Sequence, residues 1–166
     1  SNINNKIDLV MNHALCQISF LIYKDSYSGF GYLNEFSIED VGATSHIITD
    51  KSSANNLKMD IQSGAISGGQ KGIITRMLAV VKTLKSSSLS PLYPSSDIVE
   101  LREQVKTDGC SALIIPTSSV KSNELRFKFK IDNVSYSVMN VSEIQYEKGK
   151  QYIYKIKLSD SGMHIS

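Results

Sequence analysis

The 166-residue chain has no tryptophan, only three prolines and only two cysteines. Two cysteines are too few for a disulfide scaffold or a thiolate-rich zinc site, and they form no C-x-x-C spacing. Cys16 falls on the same predicted strand face as Ala14, Ile18 and Phe20, which favours a small buried thiol. A disulfide between Cys16 and Cys110 stays open as the alternative.

An excess of charge of either sign is also missing. The 18 basic and 16 acidic residues give a formal net charge of +2, and the basic ones are spread along the chain instead of forming an arginine-rich block. This distribution predicts no nucleic-acid partner. Hydrophobic residues make up 41% of the chain but occur in short runs. None approaches the roughly 18 consecutive apolar residues of a membrane-spanning helix, so we expect the chain itself to be soluble.

The length and the distribution of proline and serine indicate a single domain. A chain of this length is sufficient for one domain with its own core, and we expect that domain to cover residues 1–166. Two of the three prolines and six serines fall in 85–96, which predicts an irregular loop within the domain. No signal peptide is present, so we expect a processed or truncated form of a longer protein.

What the sequence does contain is repeated alternation of apolar and polar residues, which is typical of half-buried strands. Leu57, Met59 and Ile61, for example, alternate with polar residues and are predicted to face inward. The segments amount to about nine or ten strands at the short spacing of an all-β sandwich or barrel. We predict an antiparallel β-sandwich with about seven core strands plus short extras. The main predicted strands cover 9–23, 32–41, 72–84, 112–115, 125–131, 134–138 and 151–158, followed by a short closing strand.

Three local patterns refine this prediction. At 72–84 the apolar spacing fits a helix, but the dense β-branched residues favour a strand, which we predict. Residues 97–105 are predicted to form a short helix capped by Ser96 or Asp97. The pair Asp132–Asn133 predicts the turn of a hairpin between two strands.

No pattern of residues predicts catalysis. A nucleophilic hydrolase needs a base within hydrogen-bond reach of its serine or cysteine, and no G-x-S-x-G occurs. His13, His46 and His164 are far apart in the sequence, and His13 is predicted to be a packed or capped structural imidazole. Glu35 and Glu39 share a strand face but lie roughly 13 Å apart by the strand rise, too far for a glycosidase pair. We therefore predict no enzyme, with a histidine-dependent hydrolase as the weakest alternative.

No ligand set for a metal or cofactor is predicted either. Asp108 and the 160–162 turn offer one carboxylate each, whereas a calcium loop needs several oxygen ligands in a short segment. The glycine-rich segment 68–72 lacks the spacing of a phosphate-binding loop. The remaining candidate is a carbohydrate-binding platform built from aromatic residues, for which the tyrosines to consider are Tyr23, Tyr32, Tyr93, Tyr146 and Tyr152.

Three segments give the chain a family resemblance. They are DLVMNHALCQISFLI at 8–22, ALIIPT at 112–117 and the C-terminal EKGKQYIYKIKLSDSGMHI at 147–165. In these segments the chain resembles the C-terminal domain of the fimbrillin-like (Mfa-like, FimA-like) surface pilins of Bacteroidetes. Thr117 stands where the family commonly has glutamine, and the tryptophans frequent in the family are absent. The resemblance therefore indicates a divergent member.

The resemblance implies a transthyretin-like β-sandwich that is the C-terminal domain of a longer lipoprotein precursor. It also implies a place on the outer membrane or fimbriae of a Gram-negative bacterium, with membrane attachment only through a lipid anchor outside this chain. The implied partners are other fimbrial subunits, joined by adding or exchanging a strand at an open sheet edge. The residues expected to be exchanged or to border that edge are Tyr152, Tyr154, Ile156, Leu158, Met163 and Ile165.

Two roles therefore remain side by side. The first is a structural or adhesive subunit of fimbriae that assembles through strands and needs no cofactor. The second is a surface module that binds carbohydrate or host protein without polymerising.

Overall fold

A computed structural model of the chain describes residues 13–43, 47–49, 56–87 and 97–166. Strands dominate these residues, with one short helix, α1 (Ile98–Thr107), among them. The predicted all-β class is therefore confirmed. The strands are β1 (Cys16–Lys24), β2 (Tyr32–Asp40), β3 (Ile48–Thr49), β4 (Lys58–Met59), β5 (Ile66–Ser67), β6 (Gln70–Lys71), β7 (Ile74–Thr83), β8 (Lys85–Ser86), β9 (Cys110–Ile114), β10 (Leu125–Ile131), β11 (Val134–Met139), β12 (Gln151–Ser159) and β13 (Gly162–Ile165).

Two sheets enclose the core. The first has the order β13-β12-β1, with β9 and β8 both pairing with the other side of β1. The second has the order β11-β10-β2-β7, and two short ribbons, β3-β6 and β4-β5, lie outside both. Most pairs are antiparallel, as predicted, but β12 and β8 run parallel to β1. The first and last long strands of the described chain thus lie side by side.

The centre of the core is an aromatic cluster around Phe20 of β1. Its ring centroid lies 5.6 Å from that of Phe36, 5.0 Å from that of Phe127 and 5.1 Å from that of Phe129, each in an edge-to-face arrangement. The ring of Tyr154 lies 4.9 Å from Phe127 and so joins β12 to the second sheet. Edge-to-face pairs add about 0.5–1.5 kcal/mol each beyond the burial of their area.

The outer face of β1 is half covered by α1. Leu21 is fully buried there against Leu101 and Val105 of the helix. The predicted helix and cap are confirmed, because the Asp97 carboxylate accepts hydrogen bonds from the backbone N–H groups of Val99 and Glu100. This cap stabilises the N-terminal end of α1.

The Asp132–Asn133 pair makes the predicted hairpin turn between β10 and β11. Both residues have positive φ, 50° and 63°, as a two-residue type I′ turn requires. The Asp132 carboxylate accepts hydrogen bonds from the N–H groups of Gly31 and Tyr32 and from the Tyr27 hydroxyl, at 2.8–2.9 Å. Burial acts to raise the pKa of Asp132, but these hydrogen bonds outweigh it and hold the pKa below its usual range. The turn therefore also fastens the start of β2.

The segment predicted as a strand rather than a helix is indeed strand β7. It pairs with β2 and forms the edge of the second sheet, with a register shift opposite Leu33 and Glu35. Of Leu57, Met59 and Ile61, all predicted to face inward, Leu57 is half-buried and the prediction is wrong for the other two. Met59 is 56% and Ile61 93% exposed, because the short β4–β5 ribbon does not pack against the core. Alternation indicated a strand there but could not show whether anything would cover its apolar face.

The alternative of a Cys16–Cys110 disulfide is excluded, and both thiols are free and buried. In the β1–β9 pair Cys16 lies opposite Ile114 and Cys110 lies opposite Phe20. The two cysteines are therefore about four strand residues apart, roughly 13 Å, well beyond the reach of a disulfide. Desolvation raises the pKa of Cys16 to about 11 and that of Cys110 to about 12.

Several predicted features fall outside the described residues. These are the first residues of the predicted strand at 9–23, His46, Tyr93 and most of the 85–96 loop.

Candidate functional site

The six residues predicted for the strand-exchange edge lie on β12 and β13, and their side chains pack against the core. Ile156 and Leu158 are fully buried and Met163 is 7% exposed. Tyr152, Tyr154 and Ile165 are partly buried. These side chains therefore form the inner face of the C-terminal edge and hold it against the second sheet.

Tyrosine hydroxyls tie the beginning of β12 to the preceding loop. The hydroxyls of Tyr146 and Tyr154 are hydrogen-bonded at 2.5 Å, and burial raises the pKa of both tyrosines. The Tyr152 hydroxyl donates to the carbonyl oxygen of Gln145 at 2.8 Å and accepts from the N–H of Glu147 at 2.9 Å. These side chains therefore hold the inner face of β12 in place, and they do so independently of the strand that pairs with its backbone edge.

The backbone edge of β12 is covered unevenly. On one side β12 pairs with β1 in parallel from Gln151 to Leu158. On the other side β13 pairs only with Ile156–Ser159, and Ser166 adds one bond from its N–H to the carbonyl of Lys155. Because backbone groups alternate in direction along a strand, the N–H and C=O of Ile153 face the same open side as those of Lys155. Nothing in the described part of the chain pairs with Ile153 there.

The histidines and carboxylates considered for catalysis are not brought together. His13 is exposed, so the prediction of a packed or capped imidazole is wrong, and His164 is an exposed residue of β13. Within the described segments, neither imidazole hydrogen-bonds to a serine or a carboxylate. Glu39 instead forms ion pairs with Lys128 at 2.9 Å and Arg126 at 3.5 Å on the outer face of the second sheet.

The predicted tyrosine platforms mostly belong to the fold. Tyr146 is fully buried, Tyr152 and Tyr23 pack against the core clusters, and Tyr93 lies outside the described residues. Tyr32 is 45% exposed and stacks on Phe30, which is 72% exposed, with centroids 5.5 Å apart and rings 5° from parallel. The search for tyrosine platforms overlooked Phe30, although Phe30 and Tyr32 stand two positions apart in the sequence.

No cluster of three or more potential metal ligands occurs in the ranges that the structure describes. In those same ranges, no helix has the length and apolarity needed to cross a membrane.

Comparison with protein families places the chain. A family model described as fimbrillin-like matches residues 1–166, the whole sequence. The chain belongs to the fimbrillin-like family. The family resemblance of the three sequence segments is thereby confirmed, and no relative was found among curated proteins.

Crystal structures of two Bacteroides proteins share the fold of this fimbrillin-like chain. One, from Bacteroides uniformis, is 11% identical with a TM-score of 0.54, over 93% of this chain and 49% of the other. The second, from Bacteroides ovatus, is 10% identical with a TM-score of 0.53, over 92% of this chain and 42% of the other. Both are described as candidate cell adhesion proteins. This chain spans less than half the length of either.

One feature of this fimbrillin-like domain was not predicted at all. A cleft of about 410 Å³ opens beside α1 on the outer face of the first sheet. Its residues come from four separate stretches of the sequence, and only the strand register and the helix position bring them together. No local pattern could have indicated it. The lining residues are His13, Leu15, Gln17, Arg102, Leu113, Gly149, Lys150 and Gln151.

Proposed function

We propose that this chain is a non-enzymatic structural or adhesive subunit of bacterial cell-surface fimbriae, assembled with other subunits by strand exchange at β12. Membership of the fimbrillin-like family and the likeness to candidate cell adhesion proteins support the surface role. The observation that carries the assembly route is the short cover of β12, of which β13 pairs with only four of nine residues. Attachment to the outer membrane would use a lipid anchor outside this chain.

In the proposed exchange, an extended segment of a neighbouring subunit replaces β13 and continues along the open half of β12. A strand that runs from Ser159 back to Gln151 pairs with more backbone groups than β13 does, which favours the exchange. It also has to fill the positions of Met163 and Ile165, so alternate apolar residues would set its register. The side-chain anchors of Tyr152 and Tyr154 keep β12 in place while its partner changes.

A reversible lock between β12 and β13 tests this route. Lys157 and His164 are direct partners in the register and their side chains are at the surface, so Lys157→Cys with His164→Cys places two thiols across the pair. Directly opposite residues in antiparallel strands are about 5.5 Å apart at Cα, within disulfide range. The full-length protein carrying both substitutions would be extracted from the surface of its native bacterium and run without heating in SDS. We expect no ladder when the pair is oxidised and a heat-labile ladder when it is reduced.

The matched control locks the other hairpin. Lys130→Cys with Ser135→Cys joins direct partners of β10 and β11, which take no part in the proposed exchange. This variant should form the ladder in both redox states. A ladder that persists with the β12–β13 lock closed would show that assembly does not require β13 to leave, and the proposed route would be wrong.

The second candidate function is a surface module that binds carbohydrate or host protein and does not polymerise. The exposed Phe30–Tyr32 stack favours it, because flat aromatic faces on a surface suit such ligands. The same extraction experiment separates the two. A wild-type protein that stays monomeric on the cell surface in both redox conditions supports the binding module.

A further inference from the structure

We infer that the cleft beside α1 is a binding site for an acidic saccharide, with Arg102 as the residue that recognises its carboxylate. This inference names a ligand class and a site for the proposed adhesive role. The biological purpose of the site rests on that proposed role. It does not depend on strand exchange, since the cleft uses the side chain of Gln151, whereas pairing at the open half of the β12 edge uses backbone groups.

The floor of the cleft is a row of side chains across three strands. In the register, Gln17 of β1 lies between Leu113 of β9 and Gln151 of β12. All three point away from the sandwich core, because their neighbours in sequence are the core residues of each strand. Helix α1 covers the next part of this face at Leu21 and stops short of the row. A floor of two glutamine side chains and one leucine side chain therefore stays open beside the helix.

The uncompensated positive charge of the cleft is that of Arg102. Arg102 belongs to α1, and the lining also includes Lys150 and His13. Lys150 forms an ion pair with Glu147 at 2.8 Å, which raises the pKa of Lys150 and balances its charge. The lining includes no aspartate or glutamate, and among the described residues no partner accepts a hydrogen bond from the Arg102 guanidinium. A free planar guanidinium suits a carboxylate, which it binds through two parallel hydrogen bonds.

The neutral groups of the cleft suit sugar hydroxyls. The Gln151 amide donates to the Ser19 hydroxyl at 3.0 Å, which holds it in place and leaves its oxygen free to accept. The Gln17 amide has no hydrogen-bond partner in the described ranges and offers a donor and an acceptor. Leu113, 57% exposed, supplies an apolar surface next to these amides. Hydroxyls paired with amides beside an apolar patch are what a sugar ring requires.

A phosphate group fits the cleft less well than a carboxylate-bearing sugar. Phosphate sites commonly use several free backbone N–H groups at a turn or helix start. Here the turn at the rim uses its N–H groups internally, since Gly149 donates to the carbonyl of Leu15 and Lys150 donates to that of Glu147. The hydrogen-bond donors in this cleft are side chains, which are spaced more widely than the backbone N–H groups of a phosphate site.

The test is a titration of the monomeric 166-residue chain followed by NMR shifts of its backbone amides. Three probes differ by one feature each: methyl β-D-glucuronide, the neutral methyl β-D-glucoside, and acetate. We expect the glucuronide to shift the amides of Gln17, Arg102 and Gln151, and to bind at least about tenfold more tightly than either other probe. Equal binding of the glucoside would overturn the role of charge. If acetate binds as tightly as the glucuronide, the cleft is a site for simple anions, and the proposal that its ligand is a saccharide is wrong.

Two substitutions of the same kind place the site. Arg102→Gln keeps a good helix former on the exposed side of α1 and should weaken glucuronide binding about tenfold. Arg76→Gln, on β7 of the other sheet, should leave binding unchanged. Both variants are to keep the wild-type melting temperature, so that lost binding is not lost folding. Tyr32→Ala tests the competing aromatic site, and the assignment is wrong if that variant loses binding while Arg102→Gln retains it.

The outcome is separable from that of the assembly proposal. Failure of the glucuronide to bind the monomer leaves the ladder experiment unaffected, and an absent ladder leaves the monomer titration unaffected.

Discussion

Strands β1 and β7 are similar in length and apolar content, yet they have opposite places in the molecule. In β1 the side chains of Ile18, Phe20 and Leu21 are fully buried, whereas in β7 Met77 is 80% and Val80 is 77% exposed. The difference comes from their neighbours. Strand β1 is paired on both sides, and it is covered by the second sheet on its inner face and by α1 on part of its outer face, around Leu21. Strand β7 pairs with β2 alone among the described elements.

Apolar content therefore predicts that a segment is a strand, but its place in the sheet is decided by elements distant in the sequence. An edge strand with exposed apolar residues invites pairing with another chain. Strand β7 carries two features that limit such pairing. The register shift against β2 makes its edge irregular, and Arg76 and Lys82 place charges along it.

The largest expected difference between the two kinds of environment comes from removing a buried ring. Phe20→Ala should lower the free energy of unfolding by about 3–5 kcal/mol, because it leaves a cavity between three other phenylalanines. Urea denaturation followed by circular dichroism measures the change. Phe30→Ala is the matched control, since Phe30 is 72% exposed, and should change stability by less than about 0.5 kcal/mol. Similar losses from the two substitutions would contradict the assignment of the core.

The next prediction concerns the Asp132 carboxylate, which holds the start of β2, the strand that pairs with β7. In Asp132→Asn one carboxylate oxygen becomes an NH₂ group that faces the N–H donors of Gly31 or Tyr32. Asparagine also tolerates positive φ, so the turn itself is retained. We expect a loss of about 1–2 kcal/mol at neutral pH. Hydrogen exchange should accelerate at Leu84, whose N–H bonds to the Gly31 carbonyl, and stay unchanged in β1.

The pH dependence of this effect has a definite sign. The pKa of Asp132 is lowered in the folded protein, so its stabilisation is fully present above the unfolded pKa of about 4. It is lost as the pH falls through the lower folded pKa. The stability gap between wild type and Asp132→Asn should therefore be largest at pH 6 and should narrow toward pH 2. A gap that widens on acidification would contradict this role.

The sequence supported the local elements well. The β-branched density of β7, the Asp97 cap of α1 and the Asp132–Asn133 turn were each visible because their causes lie within a few residues. The family resemblance added the correct family. For Met59 and Ile61 the local pattern gave the wrong burial, because burial depends on what packs over a strand.

The candidate sites depended on longer-range geometry. The parallel pairing of β1 with β12 is set by packing between the two ends of the chain, and no residue pattern indicates it. That pairing puts Gln17 beside Gln151, and the position of α1 then brings Arg102 to the same cleft. The uneven cover of β12 is likewise visible only from the register with β13. The six residues predicted for the exchange edge lie on β12 and β13, but their sequence could not show which backbone groups were open.

A smaller expected effect concerns α1, which covers part of the outer face of β1. No described helix packs in this way on β7. Asp97→Ala removes the carboxylate that accepts from Val99 and Glu100 at the start of α1. We expect a loss of about 1 kcal/mol in the free energy of unfolding, the usual effect of losing such a cap. Asp97→Asn, which keeps a capping oxygen, should retain most of the stability. If the alanine variant is as stable as the asparagine variant, the cap does not hold the helix over Leu21.

The smallest expected effect lies on β7 itself. Val80→Thr replaces a 77% exposed side chain by one of the same shape, so the free energy of unfolding should change by less than about 0.5 kcal/mol. The same substitution at Val120, which is fully buried, places a hydroxyl in the core and should cost about 1–3 kcal/mol. Urea denaturation at low protein concentration, where pairing between chains is suppressed, is the appropriate measurement. A large loss of unfolding free energy from Val80→Thr under these conditions would mean that β7 is covered in the folded chain. The difference between β7 and β1 would then lie in strand pairing alone and not in burial.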